Sequence, residues 1–242
     1  MIISYSHDFI FIKTRKTAGS SMEIALSSHC GPEDVVTPLG FDQDTQRLQT
    51  FPGNCPRNFS GDKSAEESFV RALTSGDRRE MRRILQNELR DAGAMAARRH
   101  AGADVAKEVA GDAFWDKAYK FTVERHPYEK AVSFAWFRAE PNGDFAKALE
   151  EILESRLYRN FDVYSIDGKP AVDFIIRYEH LDEDVPKVEA AIGGLPILSR
   201  LPRANAHQRK DRRPAHEVLT DAQKAIVRET CREEFELLGY AP

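Results

Sequence analysis

Two short stretches hold most of the residues in this chain that could do chemistry. Near the amino terminus, Phe9-Ile10-Phe11-Ile12 runs into Lys13-Thr14-Arg15-Lys16-Thr17-Ala18-Gly19-Ser20-Ser21 and then into the helix-like Met22-Glu23-Ile24-Ala25-Leu26. A strand, a basic hydroxyl-rich turn and a helix start form a cradle for an anion. The first turn of a helix presents unpaired N–H groups and about half a positive charge, so a phosphate there gains hydrogen bonds and a favourable field together. Gly19 lets the backbone come close, Thr17, Ser20 and Ser21 add hydroxyls, and Lys13, Arg15 and Lys16 bring three cations to the same place. The local alternative is that Thr17 to Ser21 only cap a helix, as such residues commonly do. The ATP-type phosphate loop is ordered differently, with a glycine four residues before Gly-Lys-Ser/Thr and the hydroxyl on magnesium. Here lysine precedes glycine, so a phosphate site is expected and a magnesium nucleotide is not.

The second stretch, Tyr119-Lys120-Phe121-Thr122-Val123-Glu124-Arg125-His126-Pro127-Tyr128 and on to Ser133, reads as strand, break and helix. Pro127 suits the first helical position, where no amide donor is missed. Tyr128, Ala131, Val132, Ala135, Trp136 and Ala139 then recur at helical spacing and predict one buried face. Arg125 falls at the carboxyl end of the strand and Ser133 on the following helix, where open parallel sheets bind their ligands. Both can address one anion.

Taken together, KTRKTAGSS and ERHPYEKAVS resemble the sulfotransferases that use 3′-phosphoadenosine-5′-phosphosulfate, PAPS. In that family a strand-loop-helix with a Lys-Thr-Ala-Gly-Ser-Ser type of sequence wraps the 5′-phosphosulfate. A later Arg, followed eight residues on by a Ser, holds the 3′-phosphate. The resemblance is to the branch of carbohydrate sulfotransferases and their soluble bacterial relatives. Further echoes are His100 ahead of Val105 and Val109, the segment Arg177-Tyr178-Glu179-His180-Leu181, and Leu201-Pro202-Arg203-Ala204-Asn205. There are departures: Arg15 stands where many relatives have proline, and Glu124 and His126 flank Arg125 where a small apolar residue and Asn or Asp are commoner. Arg15 is therefore a candidate extra phosphate contact, and Glu124 a candidate for lowering the local positive potential. Residues 31–74 match nothing in the family.

The resemblance implies a single α/β domain spanning residues 1–242, with a central parallel sheet flanked by helices and a P-loop-like phosphosulfate-binding strand-loop-helix. It also implies sulfuryl transfer from PAPS, with 3′,5′-adenosine bisphosphate as product and no metal, to a hydroxyl on a carbohydrate or small metabolite. Sulfuryl transfer builds negative charge on the departing phosphate oxygen, so cations aimed at that oxygen and in-line positioning carry the catalysis, as in phosphoryl transfer. Lys16 is the candidate cation. The candidate cofactor-binding residues are Lys13, Arg15, Lys16, Thr17, Ala18, Gly19, Ser20, Ser21, Arg125 and Ser133, with Tyr178 near adenine and Arg209 closing from a carboxyl-terminal basic loop. For the general base, histidine has an ordinary pKa of ~6.5 suited to neutral pH. Of seven histidines His100 ranks first and His207 is the reserve, while His126 stands too near the 3′-phosphate group. The alternatives are a P-loop kinase-like phosphotransferase and a non-catalytic nucleotide-binding module.

Composition bounds the rest. The 242 residues suffice for a sizeable core, and a net charge of −4 argues against non-specific nucleic-acid binding. Three dispersed cysteines without ligand spacing read as reduced or buried thiols. No basic leader precedes a long apolar run, and none is long enough to span a bilayer, so a cytoplasmic location is expected. Pro32, Pro38, Pro52, Pro56 and several glycines predict an irregular region from Gly31 to Asp62, and residues 31–74 are the candidate acceptor-recognition segment. Helical faces are predicted for Met81, Ile84, Leu85 and Leu89, for Phe145, Leu149, Ile152 and Leu153, and for Val185, Val188 and Ile192. Val172 to Ile176 reads as a strand. Thr220 with Gln223 predicts a capping box, followed by one last helix buried through Val227, Cys231, Phe235 and Leu238.

Overall fold

A computed structural model describes residues 1–88, 100–139, 143–202, 211 and 213–241. The chain opens with an antiparallel pair, β1 (Ile2–Ser4) and β2 (Phe9–Ile12), followed by α1 (Gly19–Ser27), β3 (Val35–Val36), α2 (Phe41–Thr50), α3 (Lys63–Thr74) and α4 (Arg78–Arg83), which runs into a π-helical turn at Ile84–Glu88. Then come α5 (Ala103–Ala110), α6 (Asp112–Lys117), β4 (Tyr119–Glu124), α7 (Pro127–Ala139), α8 (Phe145–Ser155) and α9 (Phe161–Tyr164). A small hairpin, β5 (Ser165–Ile166) and β6 (Lys169–Pro170), leads to β7 (Phe174–Arg177) and α10 (Leu181–Ala191). The described chain ends with α11 (Ala215–Val218), α12 (Asp221–Thr230) and α13 (Arg232–Leu238).

The main sheet has the order β3-β1-β2-β4-β7. Only β2, β4 and β7 run parallel; β1 and β3 are antiparallel to their neighbours, so the sheet is mixed rather than wholly parallel as expected. The reason is the short turn after Ser4, where Asp8 adopts φ 53° and reverses the chain directly; a parallel return would need a crossover of a dozen residues or more. Strand side chains alternate faces. Ile10 and Ile12 accordingly join α5, α6 and α9 on one side, while Phe9 and Phe11 join Met22, Ala25 and Leu26 of α1 and Val185 and Val188 of α10 on the other. With both faces covered, the run Phe9 to Ile12 is apolar throughout.

The predicted helical faces of α7, α8 and α10 pack into the core, with Trp136 and Phe145 only half-buried, and the Thr220–Gln223 capping box is present. Met81, Ile84 and Leu85 pack together, and Leu89 lies outside the described residues. The last helix is in fact two, because Cys231 leaves helical geometry at φ −110°, ψ 30° between α12 and α13. The region from Gly31 to Asp62 is also more regular than expected. Pro38 and Pro52 fall outside α2, and Asp44 accepts from the Leu39 and Gly40 N–H groups at 2.9 and 3.0 Å to hold its start. Inside the protein Asp44 also pairs with Arg47 at 2.7 Å. All three cysteines are free thiols. Among the described residues no helix is long and apolar enough to cross a membrane.

One buried polar cluster ties the carboxyl-terminal helices to the sheet. The Lys130 ammonium of α7 lies 2.8 Å from Glu124 at the end of β4 and 2.9 Å from Glu234 of α13, and all three side chains are fully buried. Burial pushes the Glu124 carboxyl up against the opposing pull of Lys130. Removing the shared cation would leave two buried carboxylates facing each other. Lys130→Met is expected to cost ~3–5 kcal/mol in urea unfolding at pH 7.5, with the loss shrinking as acidification neutralises the pair.

Candidate functional site

Parallel pairing of β2 with β4 brings the two sequence motifs together. Ile12 stands opposite Thr122, and Thr122 Oγ1 donates to the Ile12 carbonyl at 2.7 Å. Thr14 Oγ1 donates in turn to the Val123 carbonyl, fastening the loop after β2 to the carboxyl end of β4. Within that loop Lys16 and Ala18 both adopt φ 61°, a left-handed conformation that costs ~1–2 kcal/mol in a residue with a Cβ. Thr17 between them does not share it. Alternation of this kind turns successive N–H groups into one concavity, the backbone nest that binds anions. Ala18 is the N-cap of α1 and has no side chain to cap it, and the first turn holds no acid. The helix therefore offers its first N–H groups at the nest. The Thr17 hydroxyl is shared with Thr14 at 2.8 Å; Ser20 is half-buried and Ser21 buried. Gly19 is required by close approach, since a Cβ there would lie 2.8 Å from Lys13 Cγ.

The three cations of the loop diverge. Lys13 turns inward to pair with Glu23 at 2.9 Å, both buried. Burial pushes the Glu23 carboxyl up, but the Lys13 charge and its other cationic neighbours outweigh it and hold it down to about 2. Lys13 is thus a structural cation under α1 in this fold. Lys16 goes the other way. Its ammonium sits 4.5 Å from the centre of the Phe137 ring of α7, and its pKa is lowered to about 8 by burial and by the positive charge of Arg125.

Arg125 follows β4 and lies over the Tyr178 ring at 4.5 Å, with one Nη donating to Glu129 at 3.3 Å. Its Nε is buried without a hydrogen-bond partner. Glu129, Ser133 and Phe137 succeed one another at spacings of four along α7 and so share a face. Arg125 is held at the Glu129 end of that face and Lys16 at the Phe137 end, about 12 Å along the axis at 1.5 Å per residue. Half-buried Ser133 falls between them. Arg125, Ser133, Tyr178, Lys16 and the open end of α1 therefore converge on one region.

Arg15 faces elsewhere. Its N–H donates to Asn160 Oδ1 at 3.0 Å and its carbonyl accepts from Asn160 Nδ2 at 3.0 Å, so one buried carboxamide grips both sides of the residue. The side chain of Arg15 lines a cleft of about 740 Å³ with His100, between α5 and the ends of α8, α9 and α12. His100 Nδ1 lies 3.2 Å from the Lys13 carbonyl, which can only accept, so Nδ1 carries the proton and Nε2 keeps its lone pair. Burial, then the charges of Lys13 and Arg15, lower this imidazole to about 3.

Asn160 and Glu129 hold Arg15 and Arg125 through contacts that sequence reasoning missed. Glu129 had a local signal, four residues beyond Arg125 at a helix start. Asn160 had none, lying 145 residues from its partner. Glu124 proves to face Lys130 in the interior, and His126 packs among Tyr128, Phe235 and Tyr240 with Nε2 3.1 Å from the Ala241 carbonyl. Arg209, His207 and Arg203 to Asn205 lie outside the described residues.

Because His100 titrates at about 3 in the fold and near 6.5 when unfolded, only the unfolded chain takes up its proton between those values. Acidification below about 6.5 therefore costs stability through this residue. Nitrogen-15 spectra are expected to show a neutral His100 with protonated Nδ1 at pH 5, and a midpoint near 6 would refute the burial and charge argument. In comparison with known proteins, no family model, curated protein or solved structure matches this chain.

Proposed function

We propose that this protein transfers a sulfuryl group from 3′-phosphoadenosine-5′-phosphosulfate to an acceptor hydroxyl. The observation that carries this reading is that the parallel register of β2 and β4 sets the uncapped start of α1 beside the Arg125 segment, with Lys16 on Phe137 and Arg125 on Glu129 at the two ends of one face of α7. Two cationic poles flanking a backbone nest suit a ligand with two separate phosphate groups. In this reading the nest from Lys16 to Ser20 and the first turn of α1 hold the 5′-phosphosulfate, while Arg125 and Ser133 hold the 3′-phosphate. Tyr178, already under Arg125, supplies an aromatic wall.

Attack by the acceptor oxygen on sulfur breaks the bond between sulfur and the bridging phosphate oxygen, on which negative charge grows. Lys16 answers that charge from a desolvated position, where its field is strong. His100, which lines the Arg15 cleft and has Nδ1 committed to the Lys13 carbonyl, takes the acceptor proton on Nε2. Its low basicity rises when an anionic donor offsets the charges of its cationic neighbours. A kinase-like phosphotransferase is less well supported, because the nest has lysine ahead of glycine and lacks the Gly-Lys-Thr that would hold a magnesium nucleotide.

Two measurements test the proposal. In thermal-shift and calorimetric titrations, 3′,5′-adenosine bisphosphate should stabilise the protein and magnesium-ATP should not. Arg125→Ala should weaken the bisphosphate roughly ten- to a hundredfold, the range for losing a charge-assisted hydrogen bond; the reverse nucleotide preference would overturn the reading. Lys16→Ala should lower kcat about a hundredfold with a much smaller loss of bisphosphate affinity, since its contact strengthens as charge develops. Equal losses in both would reduce Lys16 to an anchor.

A further inference from the structure

The cleft beside Arg15 has a charge arrangement that points to its ligand. Its acids lie at the rim or are already answered. Asp162 is 72% exposed and is held by Arg159 at 2.9 Å, and Arg159 also pairs with Glu233 at 2.8 Å. Asp104 stands exposed in the first turn of α5, where the helix N-terminus offsets its charge, and Glu229 is exposed on α12. Arg15 is different, being half-buried and, among the described residues, without a hydrogen bond or ion pair to its guanidinium. Among the described residues the opposing charge it feels is that of Asp162, which Arg159 already occupies. Arg156 adds a second cation at the mouth, displayed by a left-handed φ of 55° at the end of α8.

A desolvated guanidinium without a counter-ion is costly unless something anionic meets it. Its planar fork matches a carboxylate, and the Asn160 clamp on its main chain limits how far it can swing. The neighbouring wall supplies neutral hydrogen-bonding partners, including His100, Ser155 and Thr230. We propose that this cleft binds a hydroxylated organic acid, its carboxylate on Arg15 and a hydroxyl beside His100 Nε2. Arg15 is thereby a specificity residue for the acceptor and not a contact to the donor phosphates. The acceptor role rests on the sulfuryl-transfer reading above; the preference for an acid does not.

The test compares 4-nitrophenyl β-D-glucuronide with 4-nitrophenyl β-D-glucoside, which differ only at C6, carboxylate in place of hydroxymethyl, in calorimetric titrations of the intact protein with and without saturating 3′,5′-adenosine bisphosphate. The glucuronide should bind about tenfold more tightly or better. Arg15→Gln should abolish that preference and Arg15→Lys retain part of it, while bisphosphate affinity stays within about twofold in both. Equal binding of the two glycosides by the unaltered protein, or no binding of the glucuronide, overturns the proposal. So does an Arg15→Gln variant that loses bisphosphate affinity and keeps its glycoside preference, which would make Arg15 a donor contact. Should the protein bind glucuronide through Arg15 yet not bind the bisphosphate, the cleft assignment stands and sulfuryl transfer falls.

Discussion

The parallel register of β2 and β4 is the constraint on which the rest of the site depends. Two strands separated by more than a hundred residues end side by side, so the loops that leave them leave together. Parallel hydrogen bonding alone would allow those loops to diverge. Thr122 and Thr14 prevent this, each giving its hydroxyl to a carbonyl of the opposite strand. A one-residue slip would move Phe9 and Phe11 to the face now filled by Ile10 and Ile12, exchanging the two cores, so the packing that fixes the register also fixes the site.

Burial divides the basic residues of the loop between structure and chemistry. Lys13 enters the interior with Glu23 waiting for it, and the pair supports the start of α1 from beneath. Lys16, three residues on, is also desolvated but meets an aromatic ring and another cation in place of a carboxylate. Arg15 is turned aside by the Asn160 clamp. That clamp reaches further, because the Asn160 backbone N–H donates to Glu234 at 2.6 Å and Glu234 shares Lys130 with Glu124. The carboxyl-terminal helix is thereby connected, through charged groups with no access to water, to the geometry of an amino-terminal loop.

What was legible in the sequence follows from the range of each interaction. The strand, loop and helix start from Phe9 to Leu26 were readable because they are contiguous, and the strand, break and helix around Arg125 were readable for the same reason. Helical faces such as Leu149, Ile152 and Leu153 were readable because their periodicity is local. The direction of β1 was not, since three residues beside a turn carry no period, and neither was α2, whose start depends on Asp44 folding back on Leu39 and Gly40. Lys13 illustrates the limit most clearly. Its charge marked it for the anion like its neighbours, and only the fold reveals that Glu23, ten residues later and one face inward, takes it up.

The strained loop and the depressed basicity beside it have a common logic. Left-handed Lys16 and Ala18 persist because bonds from Thr14 to Val123 and from Arg15 to Asn160 hold the chain on either side of the nest. Those anchors spend folding energy to hold the loop's N–H groups in place while its three cations point apart. Burial first and then Arg125 lower the pKa of Lys16, and burial first, then Lys13 and Arg15, lower that of His100. Beyond burial, each shift carries a contribution from positive charge on the loop, which a nearby anion would offset. A ligand with negative charge at two points gains from each pole, whereas a singly charged one leaves the other unrelieved. Preorganisation therefore favours a doubly charged ligand through work already done in folding, which is the energetic argument behind the proposal of a donor with two phosphate groups.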